Sequence, residues 1–535
     1  MVARPSLVLG VCDAFNVSLG GKLIATVPLP SVSHLNNAFT TYDPGACEEL
    51  RSVWSYPSTH TRDSASPMAP WVGNFSCEPF LDARTPCQIG PLVRYSVKAT
   101  SVRDYQQTIQ FTKQHNIRLV IRNNGHDYLG KSSGVGAVAL WTHHMKDIEF
   151  SDYTSPHYRG RAIKVGPGLQ GIEAMAAAHA QSNVLVVGNC ETVGVAGGYY
   201  QGGGHGQLAS WLGLAADQVL AWDVVTAADE VITATPTQNP DLYWALSGGG
   251  GGTYGVVISM TSKVYPELRT ATANLTFSID PQFSPRFWEV VQIFVAGIQP
   301  LTDIGGVAIW ELTNRTFVVS PVTVPGGTQA LLQTWLQPTL ELLVRYQMSF
   351  NYTIHEYTTF YESYREMNRS SNVTEYQIGG RLIPRSTVDR SLSKLFHALQ
   401  TITEHGAVVS GVSLNVSRTP VPDNAVNPAW RDTAISIVIA MPFDYHNRTA
   451  NRMSRGLITS TLLPLLEELT PGSGAYLNEA DIDQPNWQST FYGSNYAQLA
   501  AIKLKYDPDH FFYARTAVGS EYWVESVDGR LCHAV

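Results

Sequence analysis

The chain has 535 residues, 44% of them hydrophobic and 15% charged, with a formal net charge of −8. That composition suits a folded protein with a large core, on a length sufficient for about three or four domains. Lys and Arg are not clustered, which argues against nucleic acid or an anionic membrane surface as partner, and no run approaches the ~18 apolar residues of a membrane span.

Residues 1–88, rich in Pro, Ser and Asn, read as an irregular N-terminal wrap. The opening MVARPSLVLGV is too short an apolar run to read as a signal peptide. Cys77 and Cys87 close a short polar loop and form a candidate disulfide for an oxidising compartment. From 89 to 268 helical and strand patterns alternate, separated by glycine-rich joints. VRDYQQTIQFTKQHN and GIEAMAAAHAQSN have helical spacing, and DLYWALS reads as a short helix. IRLVIRN, AVALWT, VLVVGN and VLAWDVVTA read as strands. The alternation predicts an α/β cofactor domain.

From 269 to 475 the strands NLTFSID, GGVAIWELT, RTFVVSPV, GVSLNVSRT and AISIVIAMPF are interspersed with helices such as QALLQTWLQPTLELLVRY and SLSKLFHALQTITEHG. This predicts an α+β substrate domain built on an antiparallel sheet. Residues 476–535 hold one amphipathic helix and many aromatics. Sequons occur at Asn16, Asn74, Asn274, Asn314, Asn351, Asn368, Asn372, Asn415 and Asn447. Their crowding between 274 and 447 predicts a secreted or secretory-pathway glycoprotein.

Two glycine-rich stretches carry the chemistry. SGGGGGTYGVV, residues 247–257, can be forced into a dinucleotide fingerprint, but it follows a helix and precedes a strand, the reverse of the Rossmann order. No GxxxxGK[ST] phosphate loop occurs at either stretch. GNCETVGVAGGYYQGGGHG, residues 188–206, offers four readings: a Cys190–His205 nucleophile pair, a phosphate-cradling nucleotide loop, an inert buried cysteine, or a cofactor tethered through sulfur. A hydrolase needs only one or two such glycines, whereas this number implies a backbone lying against something large and flat. His143 and His144 are neighbours pointing in different directions, without partners at metal-ligand spacing; no metal is expected.

A further motif, VIRNNGHDYLGKS at residues 120–132, turns sharply after a strand and presents His126 at its tip. Its successive backbone N–H groups suit a pyrophosphate. Together with the Cys190 loop, this resembles the berberine-bridge-enzyme-like branch of the vanillyl-alcohol-oxidase flavoproteins, of the fungal secreted type. YSVKATSVRD, ALWTHHMKDI, GLAADQVLAWDVVTA and the tail from NWQSTFYGSNY to GSEYW carry the resemblance along nearly the whole chain. It implies a two-part PCMH-type FAD-binding domain plus a substrate domain whose antiparallel sheet is covered by helices, an α+β fold overall. It also implies bicovalent FAD, bonded at the 8α-methyl to His126 and at C6 to Cys190.

On the same basis Arg122, Asn123, Asn124, Gly125, Asp127 and Ser132 hold the pyrophosphate side. Gly188, Thr192, Val193, Gly194, Gly197, Gly198, Gly203 and Gly204 bed the ring and ribityl chain. Val257, within Gly255–Ile258, lines the adenine side, with Tyr492 and Asn495 also near the cofactor. Many relatives carry Asn-Tyr where this chain has Asn478-Glu479. A carboxylate can serve as general base at neutral pH, so Glu479 is the first catalytic candidate. His205 stands where plant relatives have an aromatic, and Tyr200, beside Tyr199, is a further candidate. The resemblance implies an oxidase passing hydride from an alcohol or secondary metabolite to the flavin and electrons to O2. The alternatives are a redox-neutral isomerase or cyclase using Glu479 or His205, and a flavin- or sugar-binding glycoprotein without turnover. A monomer is expected.

Overall fold

The computed structural model describes residues 5–73, 75–279, 284–369, 371–526 and 529–534. The N-terminal segment is more helical than its composition suggests, with helices Pro5–Ser18, Pro44–Val53, Pro57–Thr61 and Pro70–Gly73. Each begins at proline, which is tolerated in a first helical turn because its missing N–H would be unpaired there anyway. Asp43 caps Pro44–Val53, accepting from the Gly45 and Ala46 N–H groups. The Cys77–Cys87 disulfide is formed.

Two sheets build the region that follows. The first is four-stranded, in the order Leu23–Ala25, Tyr95–Lys98, Val138–Trp141, Leu119–Arg122. Its last three strands are parallel. Helix Val102–Gln114, closed at its start by a Ser101–Asp104 capping box, makes the crossover. The second sheet is five-stranded and wholly antiparallel: Ile148–Thr154, Arg159–Val165, Val256–Lys263, Val219–Val225, Val231–Ala234. The α/β alternation is therefore realised only around one crossover. VLVVGN, expected as a strand, pairs only over Asn183–Val184 and then runs as irregular chain into the Cys190 loop.

The third sheet is seven-stranded and antiparallel, in the order Phe350–Tyr357, Thr270–Ser278, Thr316–Pro325, Val307–Leu312, Val408–Ser413, Thr433–Pro442, Tyr376–Pro384. One face is sealed by helices including Ser284–Ala296, Gln329–Arg345 and Leu392–Glu404, around Phe287, Phe294, Leu336 and Leu399. Its other face looks toward the first two sheets. Period-two alternation does the sorting: on strand Tyr376–Pro384, Ile378 faces the space between, while Gln377 points away and donates to the Asn451 carbonyl. The C-terminal segment returns to the first two sheets through helices Trp487–Tyr492 and Tyr496–Tyr506.

One buried acid gives this framework a pH dependence. Glu78 is 4% exposed, and burial raises its pKa from 4.5 to about 8. The native state keeps this proton where the unfolded chain has released it. Stability therefore falls as pH rises through that window, by about 1.4 kcal/mol per unit at most. Glu78→Gln removes this dependence: thermal scans at pH 5 and pH 8 should show wild type losing more than the variant between the two. Equal losses would contradict the assignment.

Candidate active site

The loops 123–132, 188–198 and 251–257 face the open side of the seven-stranded sheet across a cavity of about 650 Å³. Arg122, at the end of its strand, is fully buried and turns back beneath the first loop. One terminal nitrogen donates to the carbonyls of Ser66 (2.7 Å), Asp63 (3.0 Å) and His60 (3.2 Å). Burial pushes its pKa down to about 10. Gly125 packs over this guanidinium at φ +84°, and a Cβ there would lie 2.6 Å from it. Arg122 therefore braces the loop from behind and lies outside the cavity lining, with its Nε and Nη1 buried and without a partner among the described residues.

Asp127 also works within the loop, accepting from the backbone N–H groups of Leu129 and Ser132. Lys131, which the sequence reading passed over, lines the cavity instead. Its buried Nζ has no hydrogen-bond partner among the described residues, and burial pushes it down to about 8 while Asp127 pulls it up. Asn123 donates to Thr142 Oγ1 and the Pro167 carbonyl. Asn124 donates to the Thr192 carbonyl, with its own oxygen bonded to His143 Nδ1. His143 thus has a local task, fixing the Asn124 amide.

His126 and Cys190 meet in space. His126 Nε2 lies 2.6 Å from Thr192 Oγ1 and 3.9 Å from Cys190 Sγ. Burial, with His60 and Arg122 close by, drives the imidazole down to about 3, so near pH 7 it is neutral. Burial also raises the Cys190 thiol, against hydrogen bonds from Thr192 and Ser371. Gly194 can only be glycine, since a Cβ would stand 1.8 Å from Asn123 Oδ1. Gly188, Val193, Gly197 and Gly198 line the cavity, and at Gly198 the missing side chain leaves open space.

Gly203 and Gly204 lie outside the lining; a Cβ at Gly204 would press on Ala215 and Tyr199. On strand Val256–Lys263 the alternation turns Val257 to the cavity while Val256 enters a core.

On the other wall, His205 and Glu479 form a pair. His205 Nε2 is 3.1 Å from Glu479 Oε2, with side-chain exposures of 8% and 29%. The ring rests against Tyr476 and Trp430. His205 Nδ1 is buried without a partner among the described residues. Asn478 fixes the segment by donating to the Gly198 carbonyl (3.0 Å) and to Tyr476 Oη (2.9 Å). Tyr199 lines the cavity and donates to the His205 carbonyl.

Tyr200 does not join them. The next position on that turn sends its ring the other way, wholly buried, with its hydroxyl on the Val186 carbonyl. Tyr492 donates to the Thr516 carbonyl and Asn495 to the Val426 carbonyl, both outside the lining. In each of the three, the polar group is held by a backbone carbonyl away from the cavity lining.

The facing sheet contributes Ile309, Val318, Ile378, Val408, Val412 and Val438, with the hydroxyls of Ser320, Ser410 and Ser436. Arg369 and Glu311 form an exposed ion pair at this face, 3.0 Å apart.

Residues 93–235 match the family described as FAD binding domain, and residues 475–519 match berberine and berberine like. The FAD-linked oxidoreductase patO of Penicillium expansum is 44% identical over 527 residues, covering 97% of this chain and 91% of the relative. The chain belongs to the VAO-type, berberine-bridge-like family of FAD-linked oxidoreductases. The crystal structure of VAO-type flavoprotein MtVAO615 from Myceliophthora thermophila C1 superposes on this oxidoreductase with a TM-score of 0.94 at 38% identity, covering 100% of this chain and 99% of the other. The bifunctional decalin synthase calF of Penicillium decumbens is 39% identical over 535 residues, covering 97% of this chain and 92% of the relative.

The residues of the oxidoreductase's cavity fit FAD on two counts. The glycine-lined loops form a bed whose open space a side chain at Gly198 would enter, and the unpaired Lys131 ammonium suits a phosphate. No helix among the described residues is long and apolar enough to cross a membrane.

Proposed function

We propose that this FAD-linked oxidoreductase is an oxidase that holds its flavin through His126 and Cys190 and takes the substrate proton on Glu479. The observation that carries the reading is one cavity with His126 and Cys190, 3.9 Å apart, in one wall, and the His205–Glu479 pair in another. When bound, the flavin supplies the acceptor for a substrate hydride and passes the electron pair to O2, giving hydrogen peroxide.

The chain's own residues do the rest. The Glu479 carboxylate takes the hydroxyl proton as the carbinol carbon loses hydride, so that an alcohol leaves as a carbonyl compound. His205 Nε2–H donates to Glu479 and holds the carboxylate in one orientation. Lys131 and the amides of 123–126 would hold the diphosphate. The aliphatic face of Ile309, Val318 and Val438 excludes water from the reacting carbon, while the three serine hydroxyls supply sparse polar anchors. Exposed sequon residues Asn314, Asn351 and Asn447, together with the disulfide, support passage through the secretory pathway. Asn74 lies outside the described residues.

A second reading draws on the same pair. A carboxylic acid hydrogen-bonded to His205 against an aliphatic wall could protonate an unsaturated substrate and direct its cyclisation without net redox, and the relative named as a decalin synthase favours keeping it. An oxygen electrode with peroxide detection, run over a panel of alcohols, oligosaccharides and polyketides, separates the two. Peroxide equal to product supports the oxidase; product of unchanged mass without peroxide replaces it with the isomerase.

A further inference from the structure

Cys190 is approached from two directions. Its own loop supplies Thr192. The other approach comes from helix Phe360–Met367 and from Asn368 and Ser371 beyond it.

The hydroxyl of Tyr364, a residue 1% exposed, lies 2.8 Å from the Gly188 carbonyl and 3.1 Å from that of Asn189. Asn368 Nδ2 donates to the same Asn189 carbonyl at 2.6 Å. Asn368 Oδ1 accepts from Gln207 Nε2, whose own oxygen accepts from Thr323 Oγ1. Gln207 and Thr323 are buried, so the far end of this chain is fixed. Ser371 reaches the Cys190 thiol itself. The two carbonyls immediately before Cys190 are thus gripped by side chains that the FAD-binding region does not supply.

Resting on the two-tether reading above, we propose that Tyr364 and Asn368 are positioning residues that set Cys190 for its bond to the flavin. We further propose that Asn368, although it heads a sequon, is kept free of glycan by this role. In the bonding step Cys190 loses its S–H proton and gains an S–C6 bond as the flavin C6–H proton departs. The two electrons released pass to O2, which with the two protons gives hydrogen peroxide. A glycan on Asn368 would replace one of the two hydrogens on the nitrogen that reaches the Asn189 carbonyl and crowd a half-buried side chain against the Cys190 loop.

The test is peptide mass spectrometry on the full chain from a secretory host, comparing wild type, Tyr364→Phe, Asn368→Ala and, as the histidyl-only reference, Cys190→Ala. The expected result is flavin on both the His126 and Cys190 positions in wild type and no glycan at Asn368. In Tyr364→Phe and Asn368→Ala the ratio of Cys190-linked to His126-linked flavin should fall about tenfold or more, because a small misplacement of reacting atoms is costly. Cys190 should become alkylatable in proportion. Tyr364→Phe removes one oxygen and leaves the ring packed, so it carries the test even where Asn368→Ala is not recovered folded.

Full Cys190 linkage in the variants, with both tethers present in wild type, overturns this proposal alone; a glycan on Asn368 does the same. Wild type without flavin on Cys190 overturns the two-tether reading first, and this proposal with it.

Discussion

Glu479→Gln should lower kcat by about 10²–10⁴-fold, the usual worth of a positioned general base, while leaving flavin content and both covalent bonds unchanged. The variant keeps the shape and a hydrogen-bond acceptor toward His205, so the 3.1 Å contact survives. What it loses is the negative charge that accepts the substrate proton. KM should move little, because the aliphatic face that holds the substrate is untouched. His205→Gln should cost less, since it removes the group that orients the carboxylate and not the carboxylate itself. Steady-state kinetics with any substrate found in the panel checks both. An unchanged kcat in Glu479→Gln would remove Glu479 from the mechanism.

Lys503→Met should be the most destabilising substitution here, by about 3–5 kcal/mol, the cost of stripping a buried ion of its partner. Lys503 and Asp507 are each 1% exposed on their side chains and form an ion pair. The ammonium also donates to the carbonyls of Thr253 (2.7 Å) and Phe512 (2.8 Å). Asp507 in turn accepts from the N–H groups of Phe511 and Phe512. Thr253 belongs to the second glycine stretch, and Phe512 lines the cavity. The pair therefore clamps the C-terminal segment onto the loop that closes the cofactor side. Thermal unfolding should show a lowered midpoint and earlier release of flavin fluorescence. Adding Asp507→Asn should recover part of the loss, a coupling that a purely steric effect of Met would not show.

The parts of this molecule legible in the sequence are those where local chemistry dictates local shape. GH at 125–126 and the cysteine at 190 were named through the family resemblance their two motifs carry, and the structure brings the two side chains to 3.9 Å. Glu479 and His205 were found because each stands where relatives carry an aromatic. Most strands of the seven-stranded sheet were visible as strand patterns, since its buried face is packed by helices, but the edge strand Phe350–Tyr357 was not among them.

Where a side chain's partner lies far along the chain, pattern has little to say. Arg122 looked like a phosphate ligand, and nothing local shows that the carbonyls of His60, Asp63 and Ser66 hold one of its terminal nitrogens from behind the loop. Tyr199 and Tyr200 are indistinguishable by type, and only the turn over Val195–Tyr199 decides which faces the cavity. Lys131 was missed because one lysine in a loop resembles any solvated lysine until its burial is known. The helices of 5–73 were hidden behind prolines that also signal turns.

The central claim is that one flavin is bonded to two side chains. The measurement that meets it most directly is acid precipitation of the wild-type protein, followed by proteolysis and mass analysis of the yellow peptide. The account predicts colour in the pellet and a single species in which the His126 and Cys190 peptides are joined through one flavin. Colour left entirely in the supernatant, with both peptides at their unmodified masses, would contradict it.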